Sequence, residues 1–383
     1  MAQSQQVKRA ARLGMTGGRR LLYRSIADSL RRDLTSGKLV AGAKLPPVRS
    51  LARQFKVSVI TISKALRALE REGHLTCIPA VGAFVPAMST TSVAVSQITI
   101  AFATVELEAT LTGRIAAGIE ESCRQRDWLL QIHNAQADPQ TEAETLSRLP
   151  KTGTSGAIIL PVRDEPNIEA LFWLKFNRFP YVLVDRRIPG LRVNVVESNH
   201  EQGGYLATRH LLEHGHRRVL MLTSRSGIFS SADDRVRGYE RALTEAGIGP
   251  RPEWLIAFEH PHTVVTTHPW RLWYDRVMPT LKDLDRPTAI LAVNASAGRG
   301  LLEACWDLDL RVPYDISVVS FGDTEFMEGY HPPVTVVAQR GHQIGQAAVE
   351  LLERQLNDPE SEPRHVLLDV DLIERHSIGR PGA

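Results

Sequence analysis

From residue 97 onward, short β-branched runs alternate with amphipathic helical patterns, and this alternation limits the possible folds more than any other feature of the chain. ITIAFA, WLLQIH, GAIIL and YVLV read as strands, with helical spacing near 113–126, 140–149 and 168–176 between and after them. The pattern resumes with a helix near 202–214. The runs RVLML, WLIAF, AILAV and ISVVSF follow, interleaved with helices near 233–246, 269–284 and 296–307. Continuous apolar strands separated by helices form parallel sheets covered by helices on both faces. Two such series predict two doubly wound α/β lobes. Open sheets of this kind bind ligands beyond the carboxyl ends of their strands, and two facing lobes make a cleft there.

The stretch 45–73, LPPVRSLARQFKVSVITISKALRALEREG, has a different texture. Ile62, Ala65, Leu66 and Leu69 recur at three and four residues, so they share one buried stripe of a helix. Ser63, Lys64, Arg67 and Arg71 then face the other way. Ser58 is placed to cap the start of this helix and Gly73 to cap its end. Leu51, Ala52 and Phe55 give a shorter helix after Pro46 and Pro47, residues allowed at a helix start but not inside one. Ile26, Leu30 and Leu34 mark an earlier helix, and HLTCIPAVGAFV alternates as a hairpin around Pro79 and Gly82. Three helices and a hairpin make a winged helix-turn-helix. An ordinary three-helix module with a solvated basic face has the same pattern.

Charge separates these two readings. Residues 1–87 hold 16 Lys and Arg against 4 Asp and Glu, a net of +12, whereas the remainder carries 30 against 39, or −9. The overall +3 therefore conceals a basic head suited to a polyanion and an acidic remainder that phosphate would repel. DNA is the expected partner. With only Cys77, Cys123 and Cys305 present, no disulfide framework or cysteine zinc site is expected. Without a membrane-length apolar run or a secretory apolar core, the expectation is a cytoplasmic protein with no membrane association. The expected organisation is a basic arm at 1–20, a winged helix at 21–86, a linker at 87–97 rich in small and hydroxylated residues, and the two-lobed domain at 98–380.

The winged-helix region resembles the GntR-type DNA-binding domain. Leu45, Pro46, Arg49, Leu51, Ala52, Val57, Ser58, Thr61, Ala65, Leu66, Leu69, Glu70 and Gly73 match its pattern across the whole module. The resemblance implies DNA contacts from Arg49, Ser58 and Thr61. It departs at Val59 and Ser63, where many members carry Arg. Neither residue can bond guanine O6 and N7 bidentately, so a different operator is expected. Val59, Ile60 and Ser63 suit thymine methyls or short hydroxyl bonds, while Lys64 and Arg67 supply phosphate or guanine contacts. With Val81 and Ala83 around a single Gly82, no wing residue is assigned a minor-groove contact.

The second region resembles the effector domain of LacI/GalR-type regulators, which is related to periplasmic sugar-binding proteins. HLLEHGHRRVLML, DDRVRGYERAL, AILAVNASAGRG, VPYDISVVSFGD and PPVTVVAQ fall in family order. The resemblance implies three chain crossings, with one lobe formed by about 97–196 and 341–370 and the other by the rest. It also implies effector contacts from Arg235, in an Arg-x-x-Gly-Tyr pattern, from Asn294 and from Gln339. An internal salt bridge for Arg235 and helix capping for Asn294 are the structural alternatives. Ala295 and Gly322 stand where the family often has Asp, with Asp323 next door as a substitute. Arg163 occupies a region where sugar binders often place an acid. Losing carboxylates and gaining a cation points away from a plain polyol towards an anionic or less polar effector, although a sugar still fits.

His210, His214 and His216 lack a carboxylate at metalloprotease spacing, so no metal is expected. His260, His262 and His268 belong either to a cleft-lining loop or to the surface. No nucleophile elbow, Walker loop or catalytic cysteine context is present, and no cofactor or catalytic residue is expected. The chain reads as a homodimeric transcription repressor, not an enzyme, that binds double-stranded operator DNA under control of a small polar metabolite such as a carbohydrate. The alternative is a solute-binding module with a vestigial DNA-binding head.

Overall fold

In the first of the two units into which the chain divides, Met1–Ser96 and Gln97–Ala383, the stripe Ile62, Ala65, Leu66 and Leu69 is buried as its spacing requires. It lies on helix α2 (Val59–Arg71), which follows the short helix α1 (Val48–Gln54) and meets Leu51 and Ala52 from it. Ile26, Ala27 and Leu30, from a helical segment at 26–32, complete the core. A left-handed Lys56 (φ 54°) closes α1. The Lys56 N–H bonds to the Arg53 carbonyl at 3.2 Å and the Val57 N–H to the Ala52 carbonyl at 3.0 Å. This paired bond pattern ends a helix sharply and fixes the entry angle of the next. Strands β1 (Thr76–Ile78) and β2 (Gly82–Phe84) form an antiparallel wing. A third segment joins β2 through Leu45 N–H to Ala83 O (2.8 Å) and Val85 N–H to Ala43 O (2.9 Å).

The computed structural model describes residues 23, 26–32, 43–71, 74–78, 82–85, 97–107, 109–164, 167–249, 251–258 and 269–382. The arm at 1–20, all but the last residue of the 87–97 linker, the caps and turns at Gly73, Pro79 and Val81, and His260, His262 and His268 lie outside them. So does the side chain of Arg49.

The second unit contains two six-stranded sheets. The first is built from β3 (Thr99–Thr104), β4 (Leu129–Asn134), β5 (Gly156–Ile159), β6 (Tyr181–Val184), β7 (Asn194–Ser198) and β13 (His365–Leu368), in the order β4-β3-β5-β6-β7-β13 and all parallel. Ile100 and Phe102 point to one face, where α3 (Thr110–Gln125) and α11 (Gly341–Asn357) cover them. Ala101 and Ala103 point to the other, beneath α4 (Pro139–Arg148) and α5 (Ile168–Phe176). The second sheet contains β8 (Val219–Ser224), β9 (Leu255–Phe258), β10 (Ala289–Ala292), β11 (Ser317–Phe321), β12 (Thr335–Ala338) and β14 (Asp371–Ile373). Its order is β9-β8-β10-β11-β12-β14, with only β14 antiparallel among these strands. Helices α6 (His200–Glu213), α7 (Ser230–Glu245), α8 (Trp270–Lys282) and α9 (Ala295–Asp307) cover it, with a short α10 (Glu325–Gly329) after β11.

The chain passes between the sheets after Ser198, after Ala338 and after Leu368. β7, α11 and β13 sit at or near these crossings and fall outside the alternation read from the sequence. The two sheets repeat one strand order, so both place their strand reversal, and hence a crevice, at the same position.

Facing glycines allow the covering helices to approach closely. A Cβ on Gly204 of α6 would lie 2.1 Å from the Arg235 carbonyl oxygen, and one on Gly238 of α7 would lie 2.0 Å from that of Glu201. Gly118 and Gly345 do the same where α3 crosses α11, at 2.0 Å from His342 O and 2.3 Å from Ile115 O. The α6–α7 crossing sets the height of Arg235 above the second sheet.

Candidate functional site

The outer face of α2 combines cations with apolar groups. Val59 and Ile60 are 46 % and 69 % exposed, Lys64 and Arg67 are exposed, and Ser63 is half-buried. Ser58 caps the helix as its position predicts. Its Oγ accepts the Thr61 N–H at 3.2 Å and lies 2.8 Å from Thr61 Oγ1. The two hydroxyls therefore hold one another at a helix start with no acidic residue in its first turn, where partial positive charge favours phosphate. Arg53, near the end of α1, and Lys56, in the α1–α2 turn, are exposed as well. Their signal was only charge, which did not separate them from ordinary surface residues.

In the second unit a cavity of about 540 Å³ opens at the carboxyl ends of both sheets. Its wall is built from the segments that follow β3, β5, β6, β8, β10, β11 and β12. Aromatic faces come from Phe229, Trp270, Phe321 and Phe326, and cations from Arg114, Arg186, Arg235 and Arg299.

A buried polar network forms its floor. Arg235 is 6 % exposed and lies 4.2 Å over the Phe321 ring. It donates through Nη1 to Val293 O (2.5 Å), through Nε and Nη2 to His200 Nδ1 (3.3 and 3.1 Å), and through Nη2 to Gln339 Oε1 (3.5 Å). His200 Nε2 meets the Asp185 carbonyl at 2.8 Å, which leaves Nδ1 as the acceptor for arginine. Gln339 Nε2 bonds Asp185 Oδ1 at 2.9 Å and Ser198 Oγ at 3.2 Å. Burial lowers the His200 pKa to about 4, reinforced by the charge of Arg235, so the ring is neutral at pH 7. Burial likewise lowers Arg235 to about 10, where it remains charged at neutral pH. Burial alone would raise the Asp185 carboxyl, but Arg186, His200 and Arg235 outweigh it and hold it below the usual carboxylate range.

Of the residues expected to contact an effector, Arg235, Asn294, Asp323 and Gln339 all line the cavity. The structural alternative applies in part to the first two. Arg235 is tied into the wall, although by neutral acceptors and an aromatic face and not by a direct salt bridge. Asn294 Oδ1 caps α9 by accepting the Ala297 N–H at 2.8 Å. Asp323 is bound by Arg375 at 2.7 Å and lies 3.5 Å from Arg114.

Arg163 is not brought to the cavity. Its neighbour Asp164 is drawn to the start of α7, with its N–H on Ile228 O (3.2 Å) and its Oδ2 accepting the Ser230 N–H (2.5 Å). That anchor sets the loop direction, which could not be read from residue type. Asp185, Arg186 and His200 were not singled out from the sequence. The sole signal was an acidic residue directly after YVLV, where a parallel strand delivers its next side chain to the crevice.

The lobes are also joined beside the cavity. Arg187, after β6, bonds Asp234 of α7 bidentately at 2.6 and 2.8 Å and Glu197 at 2.8 Å. Among the described residues no group of His, Cys, Asp or Glu could hold a metal, and no helix is long and apolar enough to cross a membrane. His216 is occupied by Thr288 Oγ1 and Gly379 O, both at 2.9 Å.

A basic helix-turn-helix with a wing, and two sheets enclosing a crevice at matching strand ends, define the class. The chain joins a GntR-type helix-turn-helix domain to a periplasmic-binding-protein-like domain. The model of the bacterial regulatory proteins of the gntR family matches residues 22–85, and that of the periplasmic binding protein-like domain matches 208–378. The chain is similar to the arabinose metabolism transcriptional repressor of Geobacillus stearothermophilus, with 29% identity over 369 residues, 94% of this chain and 93% of that protein. It is also similar to the HTH-type transcriptional repressor PurR of Aliivibrio fischeri, with 27% identity over 262 residues, 68% of this chain and 75% of that protein. Among solved structures, a LacI family transcriptional regulator from Enterococcus faecium with bound ribose superposes with a TM-score of 0.62 at 23% identity. The match covers 74% of this chain and 99% of that one. These relatives are named as repressors and regulators, not as enzymes.

Proposed function

We propose that the chain is a transcription repressor whose operator binding is controlled by a small polar metabolite, a sugar or related compound, held in the crevice of the second unit. The observation that carries this reading is the pairing of an exposed cationic recognition helix with a ligand-sized crevice whose polar floor is already ordered. Its support from relatives is the repressor of arabinose metabolism, similar along nearly the whole chain, and the ribose held by a regulator of the same fold.

Arg49, Ser58, Thr61, Lys64 and Arg67 are assigned to phosphates and base edges, and Val59, Ile60 and Ser63 to direct readout of the major groove. Arg235, Asn294, Asp323 and Gln339 are assigned to the effector. Arg163, which is not among the residues lining the cavity, is not assigned to the effector. A homodimer in the cytoplasm would read two half-sites, and ligand-dependent lobe closure would change how those half-sites are engaged. The test is binding of the full chain to DNA from upstream of its own coding region, in competition with random DNA at rising salt. A preference of about 10³-fold or more is expected. Equal binding to both DNAs removes the regulator reading.

A further inference from the structure

We infer that the ligand of this cavity carries an oxyanion, a carboxylate or phosphate group on a small polar scaffold. The inference rests on the reading of the cavity as the effector site and names the chemistry of its occupant.

It follows from an inventory of donors and acceptors. Among the described residues the wall presents four guanidinium groups, Arg114, Arg186, Arg235 and Arg299, against the carboxylates Asp185, Asp323 and Glu106. The carboxylates are engaged by the protein. Asp185 takes Gln339 on one oxygen at 2.9 Å and Arg186 on the other at 3.2 Å. Asp323 takes Arg375 on one oxygen at 2.7 Å and faces Arg114 from the other at 3.5 Å, and Glu106 has an interaction of its own.

Donors are left over. Arg186 gives the wall its charge more than a free edge, since Nη1 donates to Val162 O at 3.3 Å and Nη2 to Asp185 Oδ2 at 3.2 Å, and Nε is buried with no acceptor among the described residues. Among the described residues the polar contacts of Arg114 and Arg299 are weak, 3.5 Å to Asp323 for the first and 3.4 Å from Nε to Glu303 for the second. The Nδ2 donors of Asn294 also have no partner among the described residues, its Oδ1 being used as a helix cap.

Three of these guanidinium groups are laid on aromatic rings of the same wall. Arg186 sits 4.9 Å over Phe229, Arg235 4.2 Å over Phe321, and Arg299 4.9 Å over Phe326 and 5.1 Å over Trp270. The rings hold these charges at the wall; Arg235 and Arg186 spend Nη1 and Nη2 on the protein, whereas Arg299 bonds the described residues through Nε alone and leaves Nη1 and Nη2 for a ligand. A neutral polyol brings one proton per hydroxyl, and the wall's carboxylates already hold protein cations, with Ser296 Oγ standing as an acceptor without a partner among the described residues. An oxyanion brings acceptors alone and forms charge-assisted bonds to the unfilled arginine donors.

The test is calorimetric titration of the full chain with matched pairs: D-ribose against D-ribose 5-phosphate, and L-arabinose against L-arabinonate. The acid of at least one pair is expected to bind at least tenfold more tightly than its neutral partner, with an affinity that falls as salt rises. The pair that responds distinguishes phosphate from carboxylate. Arg186→Gln should weaken the acid at least tenfold more than it weakens the neutral sugar. Arg299→Gln, at a more exposed position, provides the same readout should the first variant fail to fold. Neutral sugars binding as tightly as their acids, no saturable binding of either acid, or no effect of the folded variants overturns the inference. A neutral sugar that binds as tightly as its acid and also changes DNA affinity would remove the oxyanion and leave the repressor standing. Acid binding without sequence-specific DNA binding would do the reverse.

Discussion

Truncation of Arg235 to alanine tests whether the floor of the crevice is a structural element as well as a binding surface. The change removes the donor from Val293 O, from His200 Nδ1 and from Gln339 Oε1, along with the stacking on Phe321. Each buried group left without a partner costs about 1–3 kcal/mol. The void opens onto the cavity, so water can reach His200 and Gln339 and recover part of that loss. A net destabilisation of about 3 kcal/mol follows. For a unit the size of Gln97–Ala383 the unfolding entropy corresponds to about 0.6 kcal/mol per degree, so the melting temperature should fall by about 5 °C. Tryptophan fluorescence reports this unit selectively, because Trp128, Trp173, Trp254, Trp270, Trp273 and Trp306 all lie within it. Arg235→Lys keeps the charge but not the fork and should recover less than half of the loss. The DNA affinity of the ligand-free variant should match that of the parent. A melting shift under about 1 °C for Arg235→Ala would refute the network argument and leave Arg235 as a ligand contact alone.

Gly204→Ala would set a methyl 2.1 Å from the Arg235 carbonyl oxygen, so α6 and α7 must part, at a cost of about 3 kcal/mol or more in urea unfolding. An unchanged midpoint would contradict that crossing. Asp164 has its carboxyl raised by burial to about 6 from 3.8, so the folded chain retains a proton there and loses stability as pH rises through about 6. His200, lowered to about 4 from 6.5, acts in the opposite sense, losing stability as pH falls through about 4. Between these values the two contributions oppose one another. Asp164→Asn should gain stability over the parent as pH rises from about 4 to 6, by up to about 3 kcal/mol at pH 7 and by little at pH 4. Equal pH profiles would sink that assignment. Lys64→Ala and Arg67→Ala should each reduce the slope of log affinity for DNA against log salt by about 1 without changing stability. A slope unaltered in both would take these residues off the phosphate backbone.

Periodicity sufficed where burial is one-sided and local. The α2 stripe and its Ser58 cap were readable because three and four residue spacing specifies a face without reference to a partner. The parallel strands were readable because their residues are apolar on both faces. What depended on a distant partner was hidden. Gly204 and Gly238 explain one another only once α6 and α7 cross. Asp185 and His200 become a site only when the end of β6, the start of α6 and the loop after β12 converge on Arg235. Arg163 and Asp164 are adjacent in sequence, and which of them turns to the other lobe is decided by Ser230. Asn294 was legible as a cap, whose oxygen accepts the Ala297 N–H, and the effector contact proposed for it would use the amide that the cap leaves.

The most direct test of the central claim is fluorescence anisotropy of the chain's own upstream DNA, titrated with the full chain with and without a cavity ligand identified by calorimetry. The account predicts sequence-specific binding whose affinity shifts at least tenfold with ligand in the parent and does not shift in Arg235→Ala. A ligand that fills the crevice and leaves DNA affinity unchanged would contradict it.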